Sequence, residues 1–253
     1  MPAVDYDKLA YYYDSLVTDQ SDLGFFRDLA RRANGPVAEF MAGSGRVSVP
    51  IAEDGIDITC IDSSKEMLEI LRDKLRAKGA CAKSICGDIT QVDLGMQFAL
   101  IFIAFHSFEE LVSDSERRDC LANVLRHLRK DGRFVCTTHD VPTRLETIGC
   151  GTVGRWDFID VRTQRRMILS VQTTYDDDSG IVSGEETLSF ADETIPLLQL
   201  PLRFRLIQPD DFRRMASDTG FEIESVHADL TTMPYREGEC RTAVWTLIPR
   251  TTV

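Results

Sequence analysis

Two acidic residues, two glycines and a set of tyrosines and histidines are the residues of this chain whose types and spacing could do chemistry. Gly43 and Gly45 close the stretch V-A-E-F-M-A-G-S-G-R-V over 37–47. Glycines there let a backbone bend tightly and approach a ligand with no Cβ in the way. From Arg46 onward, helix N-terminal amides would suit the polar or anionic part of a small molecule. A plain strand-to-helix turn would use the same residues. Asp62 ends the run I-D-I-T-C-I-D; at the carboxyl edge of a parallel sheet its two oxygens can reach a ribose diol. A surface helix-capping aspartate is the alternative, although Ser63 already supplies a cap. His106 follows the apolar run F-A-L-I-F-I-A-F over 98–105, and an imidazole at that edge titrates where a general base is useful. A histidine merely hydrogen-bonded at a strand end reads the same way. His139 is the second choice for that role, while His127 within a helix and His227 in a late strand read as structural.

The elements that must hold these residues follow from periodicity. Tyr6, Leu9, Tyr13 and Leu16 fall on one helical face, and a second helix from about Asp22 to Arg32 turns Phe25, Phe26 and Leu29 inward. Amphipathic packing accounts for the tyrosines, as does a lid whose phenols contact a ligand. The glycine stretch is a strand followed by a helix over Val47–Glu53. Ile56 to Asp62 is a buried strand, and Ser63-Ser64-Lys65-Glu66 is a capping box opening a helix that Gly79 closes. A short strand at about Ala82–Cys86 ends in Gly87-Asp88-Ile89, and the run at 98–105 suits a strand buried on both faces. Ser113 to Glu116 opens another helix, and Asp131-Gly132 turns into a fifth strand over Arg133–Thr138. From Val141 onward, alternating runs at 156–161, 167–175, 181–190 and 200–207 predict a small antiparallel sheet. A helix from Pro209 and strands at about 221–228 and 242–248 complete the chain.

The expected fold is therefore α/β: a doubly wound, mostly parallel seven-stranded sheet with an inserted small antiparallel β-sheet. Three regions are expected: an N-terminal helical lid over 1–35, a Rossmann-like ligand-binding domain over 36–140 and 208–253, and the inserted β subdomain over 141–207. The last would carry substrate contacts or a homodimer interface.

Composition narrows the function. With 29 basic against 41 acidic side chains and a net charge of -12, the chain lacks the basic face that nucleic acid requires. No stretch approaches the ~18 apolar residues of a membrane span, and the acidic, tyrosine-rich start has no signal-peptide pattern. A cytoplasmic protein acting on small molecules is expected. The seven cysteines, at 60, 81, 86, 120, 136, 150 and 240, show no C-x-x-C and no metal-ligand spacing, so they read as reduced thiols and no metal is expected.

Glu39-Phe40-Met41-Ala42-Gly43-Ser44-Gly45, Asp62, Met67 and Gly87-Asp88-Ile89 together make the sequence resemble a class I S-adenosylmethionine-dependent methyltransferase. In that family the first strand leads through an acidic residue into G-x-G-x-G; here Met41 stands in place of the first glycine. The resemblance covers residues 37 to 140 and extends to L-R-K-D-G-R-F before the fifth strand. It implies S-adenosylmethionine as cofactor, with Asp62 and the adjacent Ser63 at the ribose, Met67 against the adenine, Asp88 accepting from the adenine amino group and the Ile89 amide on the ring. Glu39, Gly43, Gly45 and Phe105 complete the cofactor set. The L-A-Y-Y-Y-D-S-L start and the inserted sheet are similar to small-molecule methyltransferases that include N-methyltransferases of amino sugars and other amines. There the tyrosine of a Tyr-Asp pair lies over the cofactor, implying Tyr13, with Tyr6 second. Carboxylates and aromatic faces favour a sulfonium, and Glu39 and Tyr13 are candidates for that contact.

The implied reaction is in-line methyl transfer to an amine or hydroxyl of a small acceptor, with Tyr13 and His106 as the catalytic candidates. Alignment of a pre-activated donor contributes up to roughly 7–11 kcal/mol in favourable cases. Two other classes stay open on sequence. Gly43-Ser44-Gly45-Arg46-Val47-Ser48 partly imitates the dinucleotide fingerprint of an NAD(P)-dependent oxidoreductase but lacks its last glycine. A non-catalytic binding module of methyltransferase-like fold is the other, kept open by Met41.

Overall fold

The computed structural model describes residues 4–148 and 153–251. Cys150 lies outside them. Seven strands form one mixed sheet in the order β10-β11-β5-β4-β1-β2-β3. They are β1 (Val37–Phe40), β2 (Ile58–Asp62), β3 (Lys83–Cys86), β4 (Phe98–Ile103), β5 (Leu128–His139), β10 (Phe221–Ala228) and β11 (Thr242–Pro249). β1 through β5 pair in parallel, whereas β11 runs antiparallel to β5 and to β10. The order reverses between β1 and β4. Loops leaving these two strands diverge and open a crevice at the carboxyl edge.

Side-chain alternation along β1 sorts its residues between two cores. Ala38 and Phe40 join Ile101, Ile103 and Phe134 under α5 (Asp114–His127) and α7 (Pro209–Asp218). Val37 joins Leu100, Phe102 and Ile58 under α2 (Leu23–Arg32), α3 (Ser48–Glu53) and α4 (Lys65–Lys78). Glu39 points to that second face although its side chain is ionisable, and it is only 3% exposed.

Caps fix the helices that carry site residues. α4 starts at Ser64, whose hydroxyl accepts from the Met67 amide, and ends on Gly79 with φ 63°. The cap is therefore Ser64 and not the expected Ser63, because Asp62 draws the Ser64 amide inward at 2.8 Å and sets the start of the helix. α5 carries the Ser113–Glu116 capping box. α3 begins at Ser48, one residue later than the pattern implies, with Pro50 in its first turn, where a missing amide costs nothing.

The second sheet is a four-stranded antiparallel meander of β6 (Val153–Ile159), β7 (Arg166–Asp176), β8 (Ile181–Phe190) and β9 (Leu198–Arg205). Two local expectations fail. Residues 141–148 form a helix, α6, which begins where the Asp140 side chain accepts from the Thr143 amide. β5 extends back to Leu128 through Asp131-Gly132, since Gly132 passes the Phe98 carbonyl where a Cβ would come within 3.0 Å of it.

α1 (Tyr6–Leu16) lies between the two sheets. Leu9 packs with Val4 and Leu200, with Tyr6, Tyr13 and Leu16 around them. Three of its side chains tie it to the crevice: Tyr6 Oη donates to Glu110 at 2.7 Å, Asp7 accepts from Ser64 Oγ at 2.5 Å, and Asp14 pairs with Lys74 at 2.6 Å. Among the described residues no helix is long and apolar enough to cross a membrane.

Candidate active site

The turn after β1 sets the floor of the crevice. Met41, Gly43 and Gly45 all take the left-handed backbone conformation, with φ of 60°, 54° and 79°. A non-glycine residue there costs roughly 1–2 kcal/mol. Met41 bears that cost with its side chain packed partly against the main core. The two glycines then differ in kind. A Cβ on Gly43 would meet open space, as a backbone exposed to a ligand requires, whereas one on Gly45 would lie 2.8 Å from Leu71 Cγ and 2.9 Å from Val49 Cγ2. Gly45→Ala is expected to cost roughly 2–4 kcal/mol from strain and overpacking together. Denaturant unfolding should find Gly43→Ala the milder of the two.

Asp62 fastens this turn to the end of β2. Its Oδ2 accepts from the Gly43 amide at 2.7 Å and its Oδ1 from the Ser64 amide at 2.8 Å. Burial raises its pKa, with those amides pulling the other way. Each carboxylate oxygen keeps a second lone pair, so two further donors can still bind. Asp88, at the end of β3, is exposed; its Oδ1 accepts from the Thr90 amide and hydroxyl, both at 2.8 Å, which fixes the carboxylate direction.

These residues line a cavity of about 490 Å³ together with Met41, Ser63, Met67 and Ile89. Tyr6 and Tyr13 form its roof, and Ser107 and Glu110 close its far end. Beyond that end a second cavity of about 230 Å³ shares Tyr6, Tyr13, Ser107 and Glu110, and adds Leu9, Leu16, Leu169, Leu202, His106, His139 and Glu186. Its walls are mostly apolar, yet three carboxylates, Glu109, Glu110 and Glu186, and the Arg203 guanidinium line it. Burial pushes the Glu110 carboxyl up to about 7, and burial raises Glu186 as well. The Tyr6 phenol is raised well above its ordinary value by burial and by Glu110, and burial likewise raises Tyr13.

Of the residues singled out in the sequence, Tyr6, Tyr13, Gly43, Asp62, Ser63, Met67, Asp88 and Ile89 come together on the larger cavity. Glu39, Gly45, Phe105, His106 and His139 do not line it. Glu39 lies beneath the turn, hydrogen-bonded to Ser48 Oγ, and burial pushes its carboxyl up to about 8. Gly45 serves packing. Phe105, with φ 55°, sits under the Arg46 guanidinium at 4.7 Å and faces the second cavity. Arg46 is itself held by Asp22 at 2.6 Å, so it is not the free start of an anion-binding helix. His106 also faces the second cavity, stacked on His139 with ring centroids 3.9 Å apart. His127 is buried, its Nε2 accepting from the Leu94 amide at 3.0 Å.

Sequence reasoning missed Glu110 and Glu186. Glu110 follows β4 by a few residues at the same edge as His106, so its position was readable. Glu186 comes from β8 of the second sheet, and only tertiary packing brings it here.

Comparison with known proteins agrees with this geometry. Residues 37–132 match the family model described as methyltransferase domain. A glycine/sarcosine N-methyltransferase of Aphanothece halophytica is 28% identical over 113 residues, 44% of this chain and 43% of that protein. The chain spans 43% to 57% of the length of three of the curated relatives it matches, this one included. Among solved structures, an S-adenosylmethionine-dependent methyltransferase from Clostridium acetobutylicum ATCC 824 superposes with a TM-score of 0.81 at 16% identity, over 97% of this chain and 99% of that one. The sugar N-methyltransferase KedS8 from Streptoalloteichus sp ATCC 53650 does so with a TM-score of 0.71 at 16% identity, over 95% and 92%. At such identities the likeness is one of fold.

Proposed function

We propose, on the premise that this chain is a class I S-adenosylmethionine-dependent methyltransferase, that it methylates an amine nitrogen of a small-molecule acceptor held in the second cavity. The observation that carries this reading is the junction itself: the larger cavity shares Tyr6, Tyr13, Ser107 and Glu110 with a smaller, mostly apolar cavity lined by three carboxylates and one guanidinium.

The residues present fit the cofactor. Asp62 has two unused lone pairs for a ribose diol, Ser63 lies beside it, and Gly43 leaves open space over the backbone. Asp88 can accept from an exocyclic amine while Met67 and Ile89 give apolar contact to a purine. When bound, S-adenosylmethionine supplies a methyl group already activated on a sulfonium. Tyr13 offers an aromatic face and Glu110 a carboxylate to that charge. The chain's remaining task is alignment and exclusion of water, which α1 performs by covering both cavities with the same tyrosines.

Charge favours an amine over a hydroxyl acceptor. Carboxylates in an apolar cavity are costly unless a cation compensates them, and an ammonium does so. Against the single Arg203 guanidinium, Glu109, Glu110 and Glu186 leave an excess of carboxylate in this cavity that a neutral hydroxyl would not offset. The sugar N-methyltransferase of the same fold is consistent with that reading.

The test is titration calorimetry with S-adenosylhomocysteine followed by labelled methyl transfer to paired cyclic amines and alcohols. Glu110→Gln is expected to raise KM for the amines about tenfold, the loss of one charge-assisted contact. Equal turnover of the alcohols would remove the amine assignment.

A further inference from the structure

We propose that His139, not His106, takes the proton from the methyl acceptor, with Glu109 as the residue that positions it; this rests on the methyltransferase reading above. His139 ends β5 in the wall of the acceptor cavity and of an adjoining cavity of about 710 Å³. Its Nδ1 lies 2.5 Å from Oε2 of Glu109, a residue only 1% exposed. A buried carboxylate at Nδ1 keeps a proton on that nitrogen and leaves Nε2 with its lone pair. Among the described residues Nε2 has no protein partner.

His106 is arranged differently. Its Nε2 is engaged at 3.0 Å by Thr242 Oγ1, and its backbone amide donates to Thr137 Oγ1 at 2.9 Å. Its ring lies almost flat on His139, at an interplanar angle of 18°. Two stacked imidazoles do not both carry a charge, since like charges at contact oppose each other. Burial and His139 together hold His106 well below the usual imidazole range. The transferred proton is therefore received at His139, whose free Nε2 faces the cavity and whose Nδ1 Glu109 holds, and His106 is the surface on which that ring rests. Glu109 Oε1 is buried with no hydrogen-bond partner, so this carboxylate is under-compensated until a positive charge appears beside it.

Charged groups face His139 from every side. Glu109 and Glu110 come from the turn after β4 and Glu186 from β8; Arg144 comes from α6, Arg203 from β9 and Arg241 from the residue before β11. Asp19, Asp22, Glu146 and Asp229 line the adjoining cavity as well, so carboxylates outnumber the three guanidiniums, and Glu109 is the one in contact with the ring. An amine acceptor arrives as an ammonium and has no free electron pair. Its proton passes to His139 Nε2, the freed pair forms the new bond to the methyl carbon, and the pair of the breaking carbon–sulfur bond remains on sulfur.

Two measurements test this. In enzyme with ¹⁵N-labelled histidine, saturated with S-adenosylhomocysteine near pH 8, His139 should be the tautomer protonated on Nδ1; a proton on Nε2 overturns the assignment whatever the turnover. In methyl transfer to cyclohexylmethylamine, His139→Asn should lose 10²-fold or more in kcat and lose the acid limb of the pH profile. Its affinity for S-adenosylhomocysteine, read by calorimetry, should persist. Glu109→Gln should retain part of the rate but lose the preference for the Nδ1-protonated tautomer in the same spectrum, because the carboxylate that fixes that proton is gone. A His139→Asn enzyme with wild-type kcat and an unchanged acid limb overturns the proposal. If wild-type enzyme binds S-adenosylhomocysteine but methylates none of the amines, the amine reading fails while the tautomer still decides the role of His139.

Discussion

Asp62→Ala should raise the dissociation constant for S-adenosylhomocysteine about 100-fold, or about 3 kcal/mol. The estimate follows from two charge-assisted hydrogen bonds to a ribose diol, each contributing about 1.5 kcal/mol net. The loss has a second origin in the same side chain. Asp62 also holds the Gly43 and Ser64 amides, at 2.7 and 2.8 Å, so its removal frees the turn that shapes the cavity. Asp62→Asn should also bind weakly, because its NH2 cannot accept from the amide it would face. Calorimetry reads the affinity and a thermal melt reports whether the fold survives. An affinity within about threefold of wild type would reduce Asp62 to a brace between β1 and β2.

Glu39→Gln should stabilise the protein by several kcal/mol at pH 8 and by little near pH 5. Burial pushes the Glu39 carboxyl to about 8 from its ordinary value of 4.5. The folded state thus holds a proton that the unfolded chain releases, over the interval between those two values. Stability then falls as pH rises through it, by up to about 1.4 kcal/mol per unit. Above pH 8 the charged form is present in both states and the full penalty remains. Glutamine keeps the contact to Ser48 Oγ without a charge to desolvate. Urea unfolding of both proteins at pH 5, 7 and 8 checks this; curves that stay parallel across the series would refute it.

Much of the fold was legible because its signals are local. The glycine turn, the buried run of β4 and the Ser113–Glu116 box each show in a few consecutive residues. Asp62 and Asp88 were readable because parallel strands deliver their last residues to one edge. What escaped the sequence depends on distant groups. Ser64 caps α4 only because Asp62 claims its amide, and α6 formed in a stretch that the sequence assigned only to the inserted β subdomain. Glu186 reaches the site from 76 residues beyond Glu110 through the packing of a second sheet. The exchange of roles between His106 and His139 needed to know that Glu109, and not Glu110, points back toward β5. The glutamates are neighbours in sequence, and their side chains bind a histidine and a tyrosine respectively.

Tyr6 and Tyr13 roof both cavities from one helix, held by Glu110, Ser64 and Lys74. Admitting either ligand therefore means undoing contacts that enclose the other. The two cannot come and go independently: the nucleoside must be seated before the helix settles, and the acceptor site is complete only afterwards. On the methyltransferase reading, initial-rate kinetics are expected to show the nucleoside adding first and leaving last, with the eleven-residue helix as the part that must move between them.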